Sequence, residues 1–385
     1  MIRSTPRHLV PAARDAAHIL FTSGSTGHPK GVVVTHANVL GFVKWAVAHF
    51  GIRAADRCSG HSPFHFDLST FDIYGSFAAG ATLCLVPPAM NIMPGELVAF
   101  MRRERLTQWF SVPSVLSYLA KFDAVRWSDF PELKRLLWCG EVFQPEAMHY
   151  WLNRLPHVRF TNLYGPTETT IASSWYEVAR RRPDHPLRPA PIGRACEGEE
   201  LFVLDLSLNP TAPREIGEIY IAGIGVTNGY WQDEERTWRA FLPKPGPPGT
   251  GGLMYRTGDL GYVDEDGLVH FVGRADAQVK VRGHRIELGE VEVALDLLPG
   301  LSEFAVVVIE SVSFGSMEIC CTASIIEGHC EIDANWIRAR LLELLPRYML
   351  PTRFKFLKRL PRNANGKIDR AAITEMFRSD ARDRT

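Results

Sequence analysis

The strongest constraint on the fold is an alternation of two hydrophobic periodicities across the first two-thirds of the chain. Short β-prone apolar stretches occur at Ala17–Phe21, Ala81–Val86, Gln108–Val112, Arg135–Cys139 and Phe160–Leu163. Interleaved with them, Ala37–His49, Pro94–Glu104, Ser114–Phe122 and Pro145–Leu155 carry apolar residues at helical spacing. Strands alternating with helices predict an α/β fold, layered around a largely parallel sheet. The last third has a different pattern. Ile286–Leu298 and Asn335–Leu345 read as helices and Phe304–Glu310 and Glu318–Ile326 as strands, which predicts a small α+β domain from about Ala277 onward. A length of 385 residues agrees with two domains at about 150 residues each.

Forty-three basic residues balance forty-three acidic ones, so the chain lacks the basic footprint of a nucleic-acid binder. With 46% hydrophobic and 22% charged residues it is composed like a globular protein with a sizeable core. No apolar run approaches the ~18–20 residues of a membrane span, and the first twenty residues lack the apolar core of a secretory signal. The seven cysteines form no C-x-x-C pair and the histidines do not recur at metal-ligand spacing. Buried, reduced thiols in a cytoplasmic protein are the expectation.

Three Pro-, Gly- or Arg-rich segments read as connections: Arg180–Pro191, Lys244–Gly252 and Gly273–Asp276. The polar motifs lie between the apolar elements. Phe21-Thr-Ser-Gly-Ser-Thr-Gly-His-Pro-Lys-Gly31 follows a strand and offers hydroxyls, free backbone N–H groups and the Lys30 charge, which is the chemistry of a phosphate cradle. It lacks the GK[ST] ending of a Walker loop; alone it is equally a polar surface loop between strand and helix. Asn162-Leu-Tyr-Gly-Pro-Thr-Glu168 places Thr167 and Glu168 at a strand's carboxyl end, where open α/β sheets bind ligands. Thr167 can donate to a phosphate oxygen, Glu168 can hold Mg²⁺, and Tyr164 presents a flat face for a base; an ordinary Gly-Pro turn fits the same residues. Tyr255-Arg-Thr-Gly-Asp-Leu260 puts Asp259 beyond a Thr-Gly turn, suited to ribose hydroxyls. Gly273–Glu290 gathers Arg274, Lys280, Arg282 and Arg285 within a charged hairpin, and Asn363–Asp369 carries Lys367 on an Asn-Gly tip.

Taken in order, these motifs resemble the adenylate-forming superfamily, and specifically the amino-acid adenylation domains of nonribosomal peptide synthesis. The resemblance runs from Phe21 to Arg370 through FTSGSTGHPKG, HFDLSTFDIYG at 65–75, NLYGPTE, GEIYIAGIGVTNGYW at 217–231, YRTGDL, GRADAQVKVRGHRIELGEVE at 273–292, LPRYMLPTRF at 345–354 and NANGKIDR at 363–370. It implies a large adenylation core over residues 1–275 and a small, mobile lid over 276–385.

The resemblance also implies the chemistry and its residues. An amino acid's carboxylate attacks the α-phosphate of ATP, pyrophosphate leaves, and a carrier protein's phosphopantetheine thiol then attacks the adenylate. Positive charge where the two anions meet is required in the first step, and the resemblance assigns it to Lys367. Thr22, Ser23, Gly24, Ser25, Thr26, Gly27 and Lys30 would hold the triphosphate with Mg²⁺ on Glu168, and Thr167 would contact the α-phosphate. Asn162 and Tyr164 would bind adenine, and Asp259 the ribose with Arg274 beside it. Asp276 matches the hinge about which Lys367 is exchanged for the Gly283 loop, and Lys280 acts in the second arrangement. Asp67 matches the family's partner for an α-amino group. The pocket aligned with it comprises Leu68, Phe71, Ser111, Leu137, Cys139, Leu163, Ile171 and Ala172, which suits a small or medium neutral amino acid such as proline, alanine or cysteine.

Members of this family carry a substantial region ahead of the phosphate loop, whereas twenty residues precede Phe21 here. The large domain is therefore expected to be N-terminally incomplete. No carrier-attachment or condensation motif is present in the sequence. The expectation is a free-standing monomeric enzyme loading a carrier in trans, with a non-catalytic remnant or one part of a split enzyme as the alternative.

Overall fold

The computed structural model describes residues 12–23, 29–179, 188–245, 251–275, 278–310, 317–326, 331–363 and 368–382. It begins with an antiparallel hairpin, β1 (Ala16–Thr22) and β2 (Lys30–Thr35). The phosphate-loop motif thus joins two strands, not a strand and a helix. The β-branched run Val32-Val-Val-Thr35 extends the pairing, with Val32 and Val34 turned into the core, and delays the helix to His36. Thr35 caps that helix, His36–Phe50, through a reciprocal exchange with Asn38.

A seven-stranded sheet follows, built from β3 (Arg57–Gly60), β4 (Thr82–Leu85), β5 (Gln108–Ser111), β6 (Arg135–Cys139), β7 (Arg159–Tyr164), β8 (Ser174–Glu177) and β9 (Arg194–Ala195). Its order is β4-β3-β5-β6-β7-β8-β9, parallel as far as β7 and antiparallel beyond it. The central strands are buried on both faces. On β6, Leu137 and Cys139 join the layer containing His36–Phe50, while Leu136 and Trp138 join the layer containing the helices Pro94–Arg103, Pro113–Lys121 and Pro145–Arg154. Each of those three helices starts on a proline, whose missing N–H costs nothing in the first turn.

The strand–helix alternation then ends. β10 (Glu199–Leu204), β11 (Gly217–Gly223), β12 (Phe241–Pro243), β13 (Leu253–Val263) and β14 (Val269–Arg274) form an antiparallel sheet. The Thr-Gly-Asp motif lies inside β13, not in a turn. The pairing with β11 shifts register across it, and Gly258 has a φ of +73°, so the strand bulges there and re-aims Asp259.

Beyond residue 278 come the hairpin β15 (Gln278–Val281) and β16 (His284–Glu287) and a sheet of β17 (Leu301–Glu310), β18 (Met317–Ile325) and β19 (Arg353–Phe356). Helices Leu288–Asp296 and Ala334–Leu344 cover one face of that sheet and Arg370–Arg382 packs Ile373 and Phe377 on the other. The expected helix at Ile286 begins two residues later. Ile286 is a fully buried strand residue, and its i,i+2 spacing to Leu288 is the strand period, not the helical one.

Candidate active site

Two adjoining cavities lie between the carboxyl ends of the parallel strands and the β15–β16 hairpin. The larger, about 360 Å³, is bordered by Asn162, Tyr164, Asp259, Arg274, Gln278 and Lys280. Asn162 and Tyr164 end β7, and the bulge in β13 brings Asp259 beneath them. The Tyr164 hydroxyl donates to Asp259 (2.6 Å), Arg274 donates to the other carboxylate oxygen, and Asn162 donates to the Pro191 carbonyl (2.8 Å). The four residues expected around a nucleoside are therefore brought to one cavity.

The smaller cavity, about 90 Å³, is bordered by Thr22, Ser23, Asp67, Leu68, Cys139, Thr167, Lys280 and His284, among others. Asp67 precedes a short helical segment that widens into a π-turn at Phe71–Gly75. Its carboxylate is buried, with the Thr167 hydroxyl nearby, and among the described residues it forms no ion pair. Burial pushes Asp67 up to about 6, partly offset by Thr167 and the Leu68 amide. Thr22 Oγ1 is buried without a hydrogen-bond partner among the described residues.

The remaining expected pocket residues divide. Phe71, Leu137, Leu163, Ile171 and Ala172 pack together with Leu68 and Cys139 in one core cluster. Ser111 does not join them. Its hydroxyl accepts from Trp109 Nε1 (2.8 Å), two residues back along β5, so it shares the side of the sheet that carries Trp109. Strand alternation gives the pocket side of β5 to Phe110, which meets Phe71 edge-on at 5.5 Å. Burial pushes the Cys139 thiol up to about 12, so it serves as a wall and not as a nucleophile.

Glu168 departs most from expectation. It is fully buried on a 3₁₀ turn, and both of its oxygens are engaged. Lys30 lies 2.8 Å from Oε1, the Tyr230 hydroxyl donates to Oε1 (2.9 Å), and Arg285 reaches Oε2 at 2.8 Å. Burial alone would raise this carboxyl, but Arg285 and Lys30 reverse that and hold it well below the usual range. Burial and Arg285 push Lys30 down to about 8. In this arrangement Lys30 and Arg285 hold both oxygens of Glu168, so a Mg²⁺ ion there, shared with substrate phosphates, would have to displace one of them. The same pairing withdraws Lys30 from a phosphate-facing role.

In the sequence Arg285 is one of four hairpin cations with no role of its own, and Tyr230 is an unremarked member of GEIYIAGIGVTNGYW. The charge-rich hairpin was the available signal for Arg285, but its partner is 117 residues away. Gly24, Ser25, Thr26, Gly27, Asp276 and Lys367 lie outside the described residues. The flanks of Lys367 pair as an Arg362–Ile368 bridge, and Arg362 reaches Glu303.

Residues 3–231 match the family model described as AMP-binding enzyme. The chain belongs to that family. It is 38% identical to an L-proline--[L-prolyl-carrier protein] ligase of Pseudomonas fluorescens over 93% of its own length and 68% of the relative's. Its identity to the ligase of the same description from Streptomyces coelicolor is 36%, over 92% of this chain and 65% of that one. The chain thus spans about two-thirds of the length of these curated relatives. Among solved structures it resembles the Vibrio cholerae adenylation domain AlmE in complex with glycyl-adenosine-5'-phosphate, with a TM-score of 0.84, 28% identity, and coverage of 96% of this chain and 68% of that one. The family therefore accounts for the layered α/β sheet with its smaller sheets, and it places the chain on the amino-acid adenylation branch of the adenylate-forming enzymes. No helix among the described residues is long and apolar enough to cross a membrane.

Proposed function

We propose that this chain activates a small or medium neutral amino acid with ATP, releasing pyrophosphate, and transfers the aminoacyl group to the phosphopantetheine thiol of a carrier protein. The observation that carries this reading is Asp67, a buried carboxylate with a hydroxyl neighbour and no ion pair among the described residues, facing a small cavity that adjoins a nucleoside-sized one. A carboxylate in that setting is stabilised by an ammonium ligand. The substrate amino group would pair with Asp67, and the apolar cluster behind Leu68 and Cys139 would exclude a charged side chain. Proline, named for two relatives, and glycine, named for the AlmE complex, both satisfy a cavity of this size.

The adenosine would lie in the larger cavity, its base between Tyr164 and Asn162 and its ribose on Asp259, whose geometry Arg274 fixes. Lys280 borders both cavities and would place positive charge at their junction, beside the adenylate during thiol transfer. A divalent cation at Glu168 would require Arg285 to withdraw first. With β15 and β16 over the site, this arrangement would serve thiol transfer, and Lys367 would be delivered for adenylation in an alternative placement of the small C-terminal lid. Six described cysteines, all buried and unpaired, support a cytoplasmic setting.

Amino-acid-dependent ATP–pyrophosphate exchange across the standard amino acids tests this function. Exchange with a small neutral amino acid is expected. A folded protein that exchanges with none of them overturns the proposal.

A further inference from the structure

The hairpin tip is held by a carboxylate to which neither the motifs nor the comparisons assign a role. Glu141 follows β6 and its side chain bridges two backbone groups. Oε2 accepts from the Ser114 N–H at 2.9 Å, in the first turn of the helix Pro113–Lys121. Oε1 accepts from the Gly283 N–H at 2.6 Å, at the turn between β15 and β16. The two N–H groups lie 169 residues apart in sequence, so this one side chain ties the parallel sheet to the hairpin. The fit is close on the other side of the tip as well. Gly283 has a φ of +81°, and a Cβ there would lie 2.6 Å from Val112 Cγ1. Val112 is the residue between β5 and the helix that Glu141 caps. Tip and junction therefore meet backbone against side chain, with Glu141 bonding both.

The position of the tip matters because of what it carries. Lys280, Gly283, His284 and Arg285 all border the smaller cavity. His284 is stacked on Tyr348 at 3.7 Å and meets Phe66 edge-on at 4.6 Å, which closes that side. A carboxylate accepting two backbone N–H groups, one of them at a helix N-terminus, makes the stronger kind of hydrogen bond. Its loss would free the tip while leaving Lys280, His284 and Arg285 in place at the smaller cavity.

We propose that Glu141 is a positioning residue for the thiol-transfer half-reaction: it fixes the Gly283 tip against the β5–helix junction and so sets the placement of Lys280 and His284 over the adenylate. The proposal rests on the function given above, and its test separates the two. Glu141→Gln and Glu141→Ala are compared with the unaltered chain in ATP–pyrophosphate exchange and in transfer from preformed aminoacyl-adenylate to pantetheine. Glu141 also borders the nucleoside cavity, so the decisive quantity is the ratio of the two losses.

Transfer at saturating pantetheine is expected to fall about 10- to 100-fold more than exchange does, as a change in kcat rather than KM, with Glu141→Asp restoring part of it. Hydrogen exchange gives a readout independent of activity: amides of Arg282–Arg285 should exchange about tenfold faster in Glu141→Ala, with those of Pro145–Arg154 unchanged. Equal losses in both half-reactions, or unchanged protection of the tip, overturn the proposal. Absence of exchange in the unaltered chain overturns the function instead, and the hydrogen-exchange comparison still decides whether Glu141 holds the tip.

Discussion

Asp67 and Glu168 are both buried carboxylates at the same cluster of loops, yet their surroundings are opposite. Glu168 is enclosed by Lys30, Arg285 and the Tyr230 hydroxyl and stays ionised despite complete burial. Asp67 has the Thr167 hydroxyl, a backbone amide and the Lys280 charge but no ion pair among the described residues, and burial raises it to about 6. The difference separates structure from recognition. A carboxylate matched by the protein's own cations joins parts of the fold; one left with partial compensation gains most from a cationic ligand.

Exchanging the two perturbations is the most direct way to break this comparison. Glu168→Gln leaves Lys30 and Arg285 buried beside a neutral amide and is expected to cost about 3–5 kcal/mol in denaturant unfolding. A loss under about 1 kcal/mol would show that the cluster is not a structural lock. Asp67→Asn should do the reverse, lowering amino-acid-dependent exchange roughly 100-fold or more while shifting stability by less than about 1 kcal/mol. Retained exchange in that variant removes Asp67 from amino-group recognition.

The pH dependence sharpens the contrast further. Asp67 titrates at about 6 and is the charged acceptor only above that value. Specificity for the amino acid should therefore fall about tenfold per pH unit below 6 and level off above it, a limb that Asp67→Asn abolishes. Glu168, held far lower, contributes no limb in that range. The smallest effect concerns Ser111. Ser111→Ala should change the KM for the amino acid by less than about threefold and cost about 1 kcal/mol through the lost acceptor for Trp109 Nε1. A large KM change with intact stability would return Ser111 to the pocket.

What was legible in the sequence follows from the range of the interactions involved. The parallel strands and their covering helices announce themselves through local periodicity, and β6 occupies the residues its apolar run predicts. Asn162 and Tyr164 share one motif, and Asp259 and Arg274 lie in two others, which the fold brings to one cavity. Three features resisted for physical reasons. Ser111 aligns with pocket residues, but strand geometry turns its hydroxyl toward Trp109. Among the described residues the antiparallel sheet from Glu199 to Arg274 has a single short helix, Glu234–Ala240, so strand–helix alternation carries little information there. Glu168 reads as a metal ligand by chemistry alone, and its pairing with Arg285 depends on how the β15–β16 hairpin lies on the sheet, which no local pattern encodes.

The bond from Ser23 Oγ to the Arg285 carbonyl (2.6 Å) joins residues 262 positions apart. Such a bond rewards the chain only after nearly everything between its ends has been ordered, since the entropy of closing so large a loop must be overcome first. The seal between the first hairpin and the β15–β16 hairpin is thus expected to close late in folding and to open early in unfolding. The contact consequently doubles as a checkpoint on assembly: a molecule in which the intervening layers are misregistered cannot bring Ser23 and Arg285 together.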